Sequence, residues 1–102
     1  MKPFIVSPHA ADDLNAIWSY LATEAGEELA DRTLSQLALA FSALAEQPGI
    51  GHRRADLTSL PVHFHFIRPY MVIYQRDYPP LAIHAALHSA RDLRRILRGR
   101  PL

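Results

Sequence analysis

The chain has 102 residues, Lys and Arg totalling 11 against 10 Asp and Glu, no cysteine, and 49% hydrophobic residues. That composition describes one soluble globular domain and excludes a disordered tail, a disulfide-stapled module and a membrane span, which would need roughly 20 consecutive apolar residues. Without cysteine there is no thiol nucleophile, Cys-ligated zinc or iron–sulfur cluster, so only His and carboxylate remain for metals.

The formal charge of +1 conceals an uneven distribution. Residues 1–50 hold Lys2 and Arg32 against seven acids, a net of −5, while residues 51–102 hold nine arginines against three aspartates, a net of +6. Every cation of the second half is Arg, whose planar fork suits carboxylate or phosphate, so an acidic partner is the first expectation. The alternative is a solvated surface with pairing between the halves.

Residues 1–6 lack a basic stretch followed by an apolar core, so they do not read as a secretory signal. Phe4-Ile5-Val6 predicts a short strand. Ser7 offers an N-cap oxygen and Pro8 fits the first helical position. Ala10, Leu14, Ile17, Trp18 and Leu21 recur at helical spacing, which predicts an amphipathic helix over 8–24, with Asp12 and Asp13 near its positive end. Gly26 interrupts the pattern. A second helical period runs from Leu29 to Ala45 and ends before Pro48-Gly49, so the two helices form an antiparallel hairpin.

From Gly49 to Leu60 the composition turns to Gly, His, Arg and polar residues, a long connection carrying His52, Arg53 and Arg54. Beyond Pro61 the period becomes two: Val62, Phe64 and Phe66 alternate with His63 and His65. Met71 to Tyr74 reads as a central strand, Asp77-Tyr78-Pro79-Pro80 as a turn, and Leu81 to Leu87 as another strand. Ser89 is the expected cap of a short final helix that Gly99 and Pro101 terminate. The chain shows no repeat, low-complexity tract or domain boundary. The expected fold is one α+β domain spanning 1–102, β-α-α-β-β-β-α, with a helical hairpin packed on one face of a mostly antiparallel four-stranded sheet.

Six histidines are many for this length, and four lie at strand spacing. Period two places His63 with His65 and His84 with His88, and adjacency of their strands would line all four along the sheet face away from the hairpin. His-x-His on a strand can hold zinc, but no third ligand is placed beside it, so no metal site is assigned. The face reads either as a plain polar surface or as a binding surface for nucleic acid or peptide. No serine lies in a Gly-flanked elbow, and no Gly-x-Gly-x-x-Gly cradles a phosphate, so neither a catalytic triad nor a cofactor is assigned. His52, Arg53, Arg54, Arg68, His88 and Arg91 are residue types that metal-free RNA cleavage requires, and solvated loop charges are an equal reading. Arg91, Arg94, Arg95 and Arg98 recur at helical intervals opposite Leu93, Ile96 and Leu97; such a stripe suits phosphates or pairs with the acidic hairpin.

Four stretches in order resemble the RelE/ParE superfamily of toxins from type II toxin–antitoxin systems, its ParE-like branch above all. They are Ser7-Pro8-His9-Ala10-Ala11-Asp12-Asp13-Leu14-Asn15-Ala16-Ile17-Trp18-Ser19-Tyr20, Leu44-Ala45-Glu46-Gln47-Pro48-Gly49-Ile50-Gly51, Tyr70-Met71-Val72-Ile73-Tyr74 and His88-Ser89-Ala90-Arg91-Asp92. The resemblance implies a bacterial cytoplasmic toxin without cofactor or membrane association. It implies a hetero-oligomer with a cognate ParD-like antitoxin, whose ribbon-helix-helix domain carries an acidic C-terminal tail. RelE-like members cleave messenger RNA on the ribosome, whereas ParE-like members inhibit DNA gyrase without a nuclease site. Lys occurs here only at position 2, so the lysine-rich catalytic loop of the nuclease branch is missing, although Tyr74 and His88 keep cleavage formally open. The ParE-like reading assigns no catalytic residue. It places target binding on Arg53, Arg68, His88, Arg91 and Arg95, and antitoxin binding on Trp18, Tyr20, Arg53, Arg68, Arg91 and Arg95.

Overall fold

A computed structural model describes residues 4–76 and 80–100. The expected turn at Asp77-Tyr78-Pro79-Pro80 lies mostly outside them, as does Pro101. The order of elements is β1 (Phe4–Val6), α1 (Pro8–Ala25), α2 (Glu27–Glu46), β2 (His63–Ile67), β3 (Tyr70–Gln75), β4 (Leu81–His88) and α3 (Leu93–Gly99). The α+β class, the helical hairpin and the four-stranded sheet therefore follow the expectation. The sheet order is β1-β4-β3-β2, with β1 parallel to β4 and the other pairs antiparallel.

Local chemistry explains most boundaries. The Ser7 hydroxyl accepts the Ala10 N–H at 3.2 Å, and Pro8 follows where its missing N–H costs nothing. Gly26 closes α1 and opens α2 at φ 99°, a backbone state that side-chain-bearing residues avoid. The final helix departs from the expectation, because Asp92 and not Ser89 is its cap. The Asp92 carboxylate accepts the Arg95 N–H at 3.2 Å, while Ser89 donates its own N–H to Pro69 and belongs to the turn leaving β4.

Both faces of the sheet are covered. The hairpin packs Ala10, Leu37, Phe41 and Leu44 onto Tyr70, Val72, Tyr74, Leu81 and Ile83. On the other face Val62, Phe64, Ile73, Ala85 and Leu87 are covered by Leu93 and Leu97 of α3, with Leu57 and Leu60 of the long connection at the margin. That connection also extends the sheet, since His52 exchanges two backbone hydrogen bonds with Phe64.

This arrangement corrects the histidine face. His63 and His65 register opposite Tyr74 and Val72, both packed under the hairpin, so they lie on the hairpin side. Their apolar alternates Val62 and Phe64 are buried beneath α3, while Phe66 at the strand end stays 48% exposed. On β4 the register shifts between Ile73 and Tyr74: Ala85 pairs with Ile73 and Ile83 with Tyr74, leaving His84 as the extra residue of a bulge. The bulge reverses the alternation, so Ile83 faces the hairpin and Ala85 faces α3. His88 pairs with Tyr70 on the hairpin side, whereas the His84 ring bonds Gln75, two residues from Ile73 on the α3 side. The four histidines line no common face.

Asp13 is likewise not a solvated helix-end charge. It is buried against β4, accepting the Ala86 N–H at 3.1 Å and both nitrogens of Arg100 at 2.7 and 2.9 Å. Arg100 also reaches the His84 carbonyl at 3.4 Å, so the residue after α3 is fastened to α1 across the end of β4.

Candidate functional site: a cationic corner where β4 meets α3

β4 is eight residues long but β1 pairs only with its first three, so its final residues border open space beside α1. A cleft of about 430 Å³ forms there, walled by Ile17 and Tyr20 of α1, Tyr70 of β3, and Ala86, His88 and Arg91 at the end of β4. Tyr70 sits edge-on to His88 with ring centroids 5.9 Å apart. Burial beside Tyr20 raises the Tyr70 hydroxyl above its ordinary pKa of 10.0, so it stays protonated at neutral pH. Nδ1 of His88 accepts the Ala90 N–H at 3.0 Å, which leaves Nε2 as the exposed nitrogen of this ring. Tyr70 is also a wall of a smaller cleft, of about 180 Å³, beside α1 and α2 that Leu21, Gln36 and Arg68 help to line.

Four expected site residues, Tyr20, Arg68, His88 and Arg91, thus line the two clefts that Tyr70 shares along the seam between hairpin and sheet, whereas Trp18 lines neither. Trp18 has a local duty, since its indole N–H donates to Asp31 at 2.8 Å and ties α1 to α2. Arg53 is exposed in the loop beside β2, and Arg95 is exposed on α3; neither lines the seam. Among the described residues, Arg53, Arg68, Arg91, Arg95 and Arg98 take part in none of the ion pairs.

Tyr74 occupies a different position from a reactive group. It is fully buried, donates its hydroxyl to the Pro48 carbonyl at 2.7 Å and accepts the Gly51 N–H at 2.9 Å. Burial raises its pKa, which further disfavours a phenolate. Among the described residues no three of His, Cys, Asp and Glu gather to hold a metal ion, and no helix is long and apolar enough to cross a membrane.

Residue patterns missed two features. Tyr70 was visible only as part of a strand, yet it joins the two clefts. The arginine stripe also divides: Arg94 and Arg98, four apart, share a second cleft with Arg54 and Arg91, whereas Arg95 does not line it. In that second cleft Arg54 holds Asp56 through two bonds of 2.7 and 2.9 Å, keeping the Asp56 carboxyl below its usual range.

The family model described as the ParE toxin of the type II toxin–antitoxin system, parDE, matches residues 4–94. Among solved structures of similar fold is one from P. aeruginosa described as a chromosomal ParDE TA system. It is 18% identical, with a TM-score of 0.70, covering 83% of this chain and 92% of that one. Comparison with curated proteins finds no match.

Proposed function

The chain belongs to the ParE toxin family of type II toxin–antitoxin systems, and on that premise we propose that it acts by binding and poisoning DNA gyrase and is neutralised by a cognate ParD-like antitoxin. The observation that carries this reading is the seam around Tyr70, whose apolar walls adjoin Arg91 in one cleft and Arg68 in the other. An antitoxin tail that is disordered when free gains apolar burial from Ile17, Tyr20 and Tyr70, and its acids meet the two guanidinium groups. Trp18, Arg53 and Arg95 extend the contact outward from the seam. Arg91 lies at the junction of both clefts, so a tail seated there also blocks the surface that His88, Arg91 and Arg95 offer to the target.

Poisoning by binding requires no reacting side chain. The toxin would hold the enzyme–DNA complex after strand passage and prevent religation, leaving broken DNA. The burial of Tyr74 supports this reading over RelE-type messenger cleavage, because the hydroxyl that a nuclease would use is committed to Pro48 and Gly51. Expression of Arg91→Ala and Arg95→Ala variants tests the assignment. Each is expected to relieve growth arrest with the fold retained, and Arg91→Ala to weaken antitoxin binding about tenfold, or ~1.4 kcal/mol. Full toxicity in both variants would refute the site.

A further inference from the structure

On the α3 side of the sheet a second cleft, of about 520 Å³, is lined by Arg54, Met71, Arg91, Leu93, Arg94 and Arg98. We propose that this cleft binds the phosphodiester backbone of nucleic acid, independently of any protein target. Four arginines line it against a single lining acid, Asp92. Asp92 caps α3 by accepting the Arg95 N–H, and Asp56 is held by Arg54. Arg91 and Arg98 take part in no ion pair among the described residues. Net positive charge therefore remains in the cleft.

The geometry is prepared as well as charged. Arg94 donates through Nε and Nη2 to the Asp56 main-chain carbonyl at 3.0 and 2.7 Å, which fixes its guanidinium without neutralising it. Its remaining N–H groups are held in place before any ligand arrives, reducing the ordering cost of binding. Arg94 and Arg98 are separated by one helical turn, a rise of about 6 Å. Forked donors at such spacing suit successive phosphates. The hairpin-side seam differs in chemistry, since Ile17, Tyr20 and Tyr70 give it aromatic and apolar walls suited to a peptide. The two clefts meet at Arg91, so one face would hold protein while the other holds nucleic acid.

The test is fluorescence anisotropy of the purified chain with a short labelled DNA duplex and, separately, a single-stranded RNA of equal length, across a salt titration. Binding at low salt is expected, with Arg98→Gln weakening it about three- to tenfold and reducing the salt slope by about one. Arg94→Gln should act in the same direction, and Arg32→Gln on the hairpin should change nothing. Tighter binding of the duplex identifies DNA as the source of the phosphates, and tighter binding of the single strand identifies RNA. No binding at low salt overturns the proposal. So does binding unaffected by both Arg98→Gln and Arg94→Gln, or equal, equally sensitive binding of a poly-glutamate peptide. None of these outcomes depends on whether gyrase is the target.

Discussion

Tyr74 shows how one hydroxyl can organise a loop. It bridges Pro48 and Gly51, the start of the long connection, to the middle of β3. Tyr74→Phe would leave a buried N–H and a carbonyl without this partner, at about 1–3 kcal/mol. Chemical denaturation should detect that loss while growth arrest persists at permissive temperature. Gly51 has the converse constraint. A Cβ there would lie 2.5 Å from the Tyr74 hydroxyl and 2.7 Å from the Phe64 carbonyl, so Gly51→Ala is expected to destabilise by about 1–3 kcal/mol or more. His84 adds a pH dependence. Burial lowers its pKa from the ordinary 6.5, so the unfolded chain binds more protons in the window just below that value. Stability should be full above pH 6.5 and fall as acid is added through the window between the ordinary and the lowered pKa. Thermal melts of His84→Asn should lose that part of the acid sensitivity; an unchanged profile would assign it elsewhere.

Among the elements, α3 is short but buries the centre of one sheet face through Leu93 and Leu97, and Arg100 then fastens its end to Asp13 of α1. The side chains of that pair are 12% and 8% exposed. Asp13→Ala would strand Arg100 in a nearly dry site and free the Ala86 N–H, and a loss of roughly 3–5 kcal/mol is expected in urea titrations. Leu97→Ala should cost about 2–5 kcal/mol by opening a cavity beneath the same helix. Much of this level was legible in the chain. Ser7-Pro8 marks the first helix, Gly26 the hairpin, and Met71–Tyr74 the central strand. What was not legible arises from register. One extra residue at His84 turns β4 over, so period-two counting assigns His84 and His88 to one face when they occupy two. Asp13 fits the signature of a helix-end charge, because its partner lies 87 residues away and no local pattern encodes it.

For the whole molecule, the separation of charge along the sequence becomes a separation in space. The acidic half forms the hairpin, and the basic half forms the long connection, most of the sheet and α3. Asp13–Arg100 joins the two halves, yet Arg53, Arg68, Arg91, Arg95 and Arg98 stay outside the ion pairs of the described residues. Pairing between the halves therefore does not consume the cationic surface, which remains for partners. The chain showed the arginines of the proposed site as a residue type and a region, but how they group around clefts required the fold. Arg68 and Arg91 are 23 positions apart and each lines a cleft that Tyr70 also walls, whereas Arg94 and Arg95 are adjacent and only Arg94 lines the α3-side cleft. The most direct measurement is a gyrase reaction on plasmid DNA with the purified chain, scored for trapped double-strand breaks, with and without the antitoxin. Accumulation of linear DNA that the antitoxin suppresses and that Arg91→Ala abolishes is the predicted result. Gyrase turning over normally at saturating toxin, with translated messages cut inside codons during growth arrest, would contradict it.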